Sequence, residues 1–311
     1  MWSHPGVLEP LRSFLTDHGY RVHVPLLPGH DPDHPWDRKR LAKLSVADIV
    51  ESIYDFIQEK EFKAPPILIG HSMGGLIAQM LAARRSVAGL ILLNSAGPKG
   101  VNHIYPVALI TTATVLSRPL FWKRTNRLPF LFARFGLLNR IPLERAREIH
   151  RSLIAESGRC LFEVVFWFLD KTNTTHVDTE KIVDPVLIVS SGRDRIMRPI
   201  ISRTLKRLYP AADTRHFPRN GHWLAHEAGS HMVFREIVEW LDSETSTMSR
   251  GPISKFEGRH HELPGLSALP IIDFRPRPGW KTDELAATVD VVAGLTPEDP
   301  RERRRPTSKQ G

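Results

Sequence analysis

Gly70-His71-Ser72-Met73-Gly74 sets a serine between two glycines in the pattern G-x-S-x-G. A serine can attack an acyl carbon when a base takes its proton and an acid orients that base. The bare pattern is weak, since a chain of this length contains one by accident about one time in ten at ordinary glycine and serine usage. Its surroundings raise it. Residues 66–70 are a short apolar run of the kind buried on both faces of a parallel sheet, and residues 76–84 are small and apolar as a packed helix would be. A serine on so sharp a strand-to-helix turn holds a strained backbone, and Gly70 and Gly74 allow strand and helix to approach closely. The hydroxyl then lies at a helix N-terminus, whose partial positive charge favours a developing oxyanion. The backbone N–H of Met73 is the expected oxyanion donor.

The base and the acid have candidates in the order Ser, Asp, His. Asp194 follows the apolar run 185–190, in Gly192-Arg193-Asp194-Arg195, and His222 follows residues 213–217, in Asn220-Gly221-His222-Trp223. Both fall at carboxyl ends of expected strands, where open α/β sheets build their sites. Each has a plainer reading taken alone: Asp194 as a turn residue paired to Arg193 or Arg195, His222 as one of 15 histidines on a polar loop. Their joint order and placement favour a triad. His23, His30 and His34 show no metal-ligand spacing and read, with Asp31 and Asp33, as a polar loop. No phosphate-cradling glycine loop is present, so neither a metal nor a cofactor is expected.

The elements that must position these residues alternate. Residues 7–17 carry apolar side chains at helical spacing, closed by Gly19, and residues 21–26 read as a strand. Ser45 caps a helix through residue 60, with Asp48 in its first turn. Strand 66–70, helix 76–84 and strand 88–93 form a βαβ unit. Residues 98–180 lose the strand pattern and break into short helices at Pro119, Pro129, Gly136 and Pro142. The sheet pattern then resumes with strand 185–190, helix 200–208, strand 213–217 and helix 233–241. These elements imply an open, mostly parallel α/β sheet, with core segments 1–97 and 181–243, a helical insertion at 98–180 and a low-complexity, disordered tail at 244–311.

Composition bounds the rest. With 311 residues, 25% charged and 41% hydrophobic, the chain is an ordinary globular sequence, neither collagen-like nor polytopic. Its single cysteine, Cys160, excludes an internal disulfide. Residues 1–6 lack the basic start and apolar stretch of a secretory signal, so a cytoplasmic location is expected. The net charge of +9 is concentrated: residues 98–160 hold eleven Lys and Arg against three Glu, a surplus of eight. Interleaved with aromatics and leucines, as in Phe121-Trp122-Lys123-Arg124, this segment reads first as an apolar cap exposing its arginines. Contact with an anionic lipid or acidic substrate comes next, and nucleic acid last.

Together, Gly70 to Gly75, Leu27-Pro28-Gly29-His30, Gly192-Arg193-Asp194 and Gly221-His222 resemble the α/β-hydrolase family in its esterase, lipase and lysophospholipase-like branch. The likeness spans about residues 1 to 242. It implies Ser72 as nucleophile, His222 as general base and then acid, and Asp194 as the group fixing the imidazole tautomer. It also implies that residues 98–180 are a helical cap over a site for a small apolar ester. The front departs from the family, because Met1-Trp2-Ser3-His4 resembles the stretch just after the His-Gly loop that supplies the second oxyanion donor. First strands and loop are therefore expected to be missing. The alternative expectation is a non-catalytic or defective hydrolase-like binding protein.

Overall fold

The structure, a computed structural model, describes residues 1–249 and 290–293. A 3-10 turn at Pro5–Leu8 leads into α1 (Glu9–Asp17) and strand β1 (Arg21–His23). A short α2 (Arg38–Leu41) precedes α3 (Val46–Glu59), which opens on a capping box. Ser45 Oγ accepts the Asp48 N–H at 3.1 Å, and Asp48 Oδ2 accepts the Ser45 N–H at 2.8 Å. Such a pair satisfies two N–H groups that the first helical turn would otherwise leave free.

Strand β2 (Ile67–His71), helix α4 (Met73–Ala82) and strand β3 (Gly89–Leu93) form the βαβ unit expected from the sequence. Helix α4 begins three residues earlier than its small-residue pattern suggests, directly after Ser72. The inserted segment holds α5 (Pro106–Leu116), α6 (Phe130–Gly136), α7 (Leu143–Ser152) and α8 (Gly158–Val165). It also holds a small antiparallel pair, β4 (Thr125–Asn126) and β5 (Glu156–Ser157), too short to leave a periodic signal. The core resumes with β6 (Val186–Ser191), α9 (Pro199–Leu208), β7 (Asp213–Phe217) and α10 (Ser230–Ser249).

The main sheet is parallel throughout, in the order β1-β8-β2-β3-β6-β7, where β8 is Asp290–Ala293. Two findings correct the expected tail. Helix α10 runs six residues past residue 243, and β8 sits between β1 and β2, with Val291 in register with Val22 and Ile67. The other residues assigned to the tail, 250–289 and 294–311, lie outside those described.

Alternation along the buried strands feeds two cores, one on each face of the sheet. Leu68, Leu90, Leu92 and Ile188 pack with Ile49 and Ile53 of α3, Leu76 of α4 and Leu205 of α9. Their neighbours Ile67, Ile69, Ile91, Leu93, Leu187 and Val189 pack with Leu11 and Leu15 of α1 and with Ile237 and Leu241 of α10. Burial on both faces is why these strands read as continuous apolar runs. Edge strand β7 carries Asp213, Arg215 and His216, polar side chains that discourage pairing with another chain. A third core belongs to the insertion, where Val115, Phe121, Leu128, Leu138 and Ile149 gather against Trp2 and Trp223.

Candidate active site

Ser72 lies between the end of β2 and the start of α4 with φ 56° and ψ −123°. A side-chain-bearing residue rarely holds this left-handed backbone unless its surroundings enforce it. Here three backbone hydrogen bonds do so: Ser72 N donates to Leu93 O at 3.1 Å, and Ser72 O accepts from Gly75 N at 3.0 Å and Ala96 N at 2.9 Å. The glycines divide the work differently from the expectation. A Cβ on Gly70 would stand 2.3 Å from Gly74 O, and one on Gly75 would stand 2.1 Å from Ser95 Oγ. At Gly74 a Cβ would meet nothing within 4 Å. Close approach therefore depends on Gly70 and Gly75, while Gly74 borders open space. Met73 is the first residue of α4, and N–H groups of a first helical turn have no partner within the helix.

Asp194 and His222 come from the loops after β6 and β7. The His222 Nδ1–H donates to Asp194 Oδ2 at 2.7 Å, and both side chains are buried. The other carboxylate oxygen, Oδ1, accepts the N–H groups of Ile196 at 2.8 Å and Met197 at 2.9 Å. Arg195 instead donates to Phe135 O and lies over the Phe135 ring, so the turn-with-arginine reading of Asp194 does not hold for it. Ser72, Met73, Gly74 and His222 all line one apolar cavity of about 140 Å³. Among the described residues Ser72 Oγ and His222 Nε2 are not hydrogen-bonded to each other or to any other group, although both residues line this cavity.

Three further residues fix the His222 loop, and the sequence pattern points to none of them. His71, the variable residue before the serine, donates from Nε2 to the His222 carbonyl at 2.8 Å. Burial, then the neighbouring His222, pushes the His71 imidazole well below the usual histidine range, so it acts as a neutral donor. Asn94, just past the end of β3, donates from Nδ2 to Gly221 O at 2.9 Å. Glu227 accepts from Gly221 N at 2.6 Å and Trp223 N at 3.1 Å, gripping the loop on both sides of His222. Burial raises the Glu227 carboxyl above its ordinary value despite these two donors. Position offers the one available signal: Asn94, like Asp194 and His222, follows a strand at its carboxyl end.

His30 departs from its expected place on a polar loop. It is 1% exposed, and its Nε2 lies 3.1 Å from Glu156 Oε2 in the insertion. Burial is the largest single influence and would raise the Glu156 carboxyl, but the charge and hydrogen bond of His30, the N-terminal ammonium and the Ser157 N–H together outweigh it and hold the group at about 2. Burial likewise opposes His30, and Glu156 overcomes that to raise it. Glu156 Oε2 also accepts the backbone N–H of Trp2 at 3.2 Å. His34 pairs with Asp31 on the surface. Among the described residues no cluster of His, Cys, Asp and Glu has the geometry to hold a metal ion, and no helix is long and apolar enough to cross a membrane.

Comparison with known proteins agrees with this architecture. The chain is 26% identical over 243 residues to the magnesium-chelatase 30 kDa subunit of Rhodobacter capsulatus, covering 72% of this chain and 78% of that one. It is 25% identical over 169 residues to an sn-1-specific diacylglycerol lipase of Mus musculus, covering 51% of this chain and about half, 54%, of the lipase. Among solved structures, a methylesterase from Arabidopsis superposes with a TM-score of 0.59 at 13% identity, covering 78% of this chain and 95% of that one. A monoacylglycerol lipase of Paleococcus ferrophilus superposes with a TM-score of 0.56 at 24% identity, covering 78% and 91%. The sequence profile of the alpha/beta hydrolase family matches residues 1–236, three quarters of the chain, and the protein belongs to that family.

Proposed function

We propose that this protein is a serine hydrolase that cleaves a carboxylic ester of a small apolar acyl group through an acyl-enzyme. The observation that carries this reading is the buried Asp194–His222 pair, 2.7 Å long, whose histidine shares an apolar cavity with a strained serine at the head of a helix. In the proposed reaction Ser72 Oγ attacks the ester carbonyl carbon while His222 Nε2 takes its proton. Negative charge gathers on the carbonyl oxygen, towards the Met73 N–H and the N-terminus of α4. Collapse expels the alcohol, which leaves with the proton from His222. Water then attacks the acyl carbon, giving one proton to His222, and the acid departs as Ser72 is restored. Asp194 keeps the imidazole proton on Nδ1 throughout, leaving Nε2 free to accept.

Cavity size and lining support a short or slender apolar acyl group. A space of about 140 Å³ is well below the roughly 300 Å³ at which pockets for drug-sized ligands begin. Lipase and esterase relatives fit the same class of bond. The test is labelling with a fluorophosphonate: wild type takes the label and Ser72→Ala does not. Equal labelling of the two proteins ends the proposal.

Two observations favour a second reading, a hydrolase-like protein that binds without turnover. The relative matched over the larger share of the chain is a subunit of magnesium chelatase, and the Trp2 N–H, which borders the cavity, is taken by Glu156. Well-folded protein that binds apolar esters yet hydrolyses no short p-nitrophenyl ester supports it.

A further inference from the structure

A second concavity lies behind the site, and we propose that it docks the protein on the surface of an anionic phospholipid bilayer. The groove has a volume of about 1190 Å³ and is bounded by α2, the β4–β5 pair and the outer face of α8. Eight cationic side chains line it. Three are committed to the fold: Arg118 donates to Thr125 O, Arg127 to the carbonyls of His150 and Arg151, and Arg159 to Glu163 and Lys43 O. The other five, Arg38, Lys39, Lys43, Lys123 and Arg124, are exposed and have no hydrogen bond or ion pair among the described residues. The two acidic side chains in the groove are already engaged. Glu163 is buried against Arg159 and the Val46 N–H, and Asp170 caps the turn at Thr172 and Thr174. The unspent charge is thus positive and concentrated in one place.

Exposed apolar side chains are concentrated in the same inserted segment, with Trp122 in the groove itself. Eleven large hydrophobic residues are exposed among those described, and eight of them fall within residues 98–180. Leu120 and Trp122 stand beside Lys123 and Arg124, and Leu109 and Ile110 lie further back on α5. This combination decides the partner. Cations alone serve any polyanion, but exposed Leu and Ile gain nothing from phosphate chains or acidic peptides. Single-stranded nucleic acid asks for stacked aromatic rings, and Trp122 is the one exposed aromatic in the groove. Aliphatic and tryptophan side chains among lysines and arginines suit the boundary between lipid headgroups and acyl chains.

Helix α8 turns Leu161 and Val164 to the apolar cavity and Arg159 and Phe162 to the groove. Helix α5 carries half-exposed Leu109 on the cavity wall, and Arg118 just past its end lines the groove. The groove and the cavity are thus separate concavities that share α8 as a common wall.

Sedimentation of the full chain with vesicles tests this. Binding is expected to vesicles of phosphatidylcholine with about 30% phosphatidylglycerol and not to phosphatidylcholine alone, and is expected to weaken as salt rises. Replacing Lys39, Lys123 and Arg124 together by Ser should weaken the partition on the order of a hundredfold, since each removed charge near such a surface is worth several-fold. The separate variant Leu120→Ser/Trp122→Ser should weaken it by about tenfold without changing its salt dependence. Circular dichroism confirms that both variants are folded. Equal binding to neutral and anionic vesicles overturns the proposal, as does a triple variant that binds like wild type. Tighter binding of a single-stranded oligonucleotide or of polyglutamate than of vesicles also overturns it, and assigns the groove to a soluble polyanion. Because the readout is sedimentation, it stands or falls apart from any ester hydrolysis.

Discussion

The His222 Nδ1–H donates to one oxygen of Asp194 while the other oxygen of the same carboxylate holds the N–H groups of Ile196 and Met197. One carboxylate thus ties the histidine loop to the turn after β6. Asp194→Asn separates these duties. With the amide oxygen on the two backbone donors, the amide nitrogen faces His222, and two donors then confront each other unless the imidazole moves its proton to Nε2. That tautomer cannot accept from Ser72. The expected result is a fall in kcat on the order of 10⁴-fold with little change in thermal stability. Steady-state kinetics on a p-nitrophenyl ester with a melting curve of each protein measure both. A fall of less than tenfold removes Asp194 from the proposed triad.

The glycines of the turn make a paired prediction. A methyl on Gly70 collides with Gly74 O at 2.3 Å and with Gly75 Cα at 2.6 Å, and backbone cannot step aside as a flexible side chain would. Gly70→Ala should therefore destabilise by about 3 kcal/mol, the upper end of the usual overpacking cost. Gly74→Ala meets nothing within 4 Å and should be near neutral in stability, within about 0.5 kcal/mol. Because Gly74 lines the cavity, its effect is expected in KM instead. Urea melts of the two variants give the contrast, and equal losses would contradict it.

Legibility in the sequence depends on the range of the interaction. Ser72 and Asp194 can be picked out because each follows a strand whose apolar run is local, and His222 because it follows the polar edge strand β7 in the expected order, with glycine marking the turn beside each of the three. Glu227 and His71 act on the backbone of the His222 loop, and a bond to a carbonyl or an N–H leaves no matching residue type to search for. His30 is misread for a related reason: its partner Glu156 lies 126 residues away, so the pair is invisible beside the nearby aspartates. The strand β8 is hidden differently. Four residues, Asp290 to Ala293, carry too little pattern to stand out from their proline- and charge-rich surroundings.

His71 illustrates what such a hidden residue is expected to do. Its Nε2–H holds the His222 carbonyl at 2.8 Å, and the two rings lie 4.7 Å apart, centre to centre. His71→Phe keeps a ring of similar shape and removes the hydrogen bond. A buried carbonyl that loses one donor, with Asn94 still at 3.3 Å, should shift the base modestly. The expected cost is roughly tenfold in kcat with KM unchanged. His71 is held neutral by burial, so the acid limb of the kcat/KM profile should keep its shape in the variant. A lost or displaced acid limb would mean that His71 itself titrates during turnover.

The buried His30–Glu156 pair makes stability depend on pH in a defined window. Glu156 is held at about 2 in the fold, below its ordinary 4.5, so its contribution is complete above about pH 4.5 and is lost as pH falls towards 2. His30 is raised above its ordinary 6.5, so its contribution is complete below about pH 6.5 and is lost as pH climbs through the higher folded value. The two conditions overlap between about pH 4.5 and 6.5, where the pair stabilises most. Glu156→Gln removes the charge and leaves His30 buried without it, which typically costs about 3–5 kcal/mol. That loss should be greatest near pH 5.5 and shrink at pH 3 and at pH 8.5, as measured by urea unfolding. Because Glu156 joins the insertion to the loop before α2, the same variant should also loosen the insertion locally. Amide hydrogen exchange at Asn126 and Ser157 is expected to rise before exchange in β3 does, and uniform protection at pH 5.5 would separate the pair from the stability of that contact.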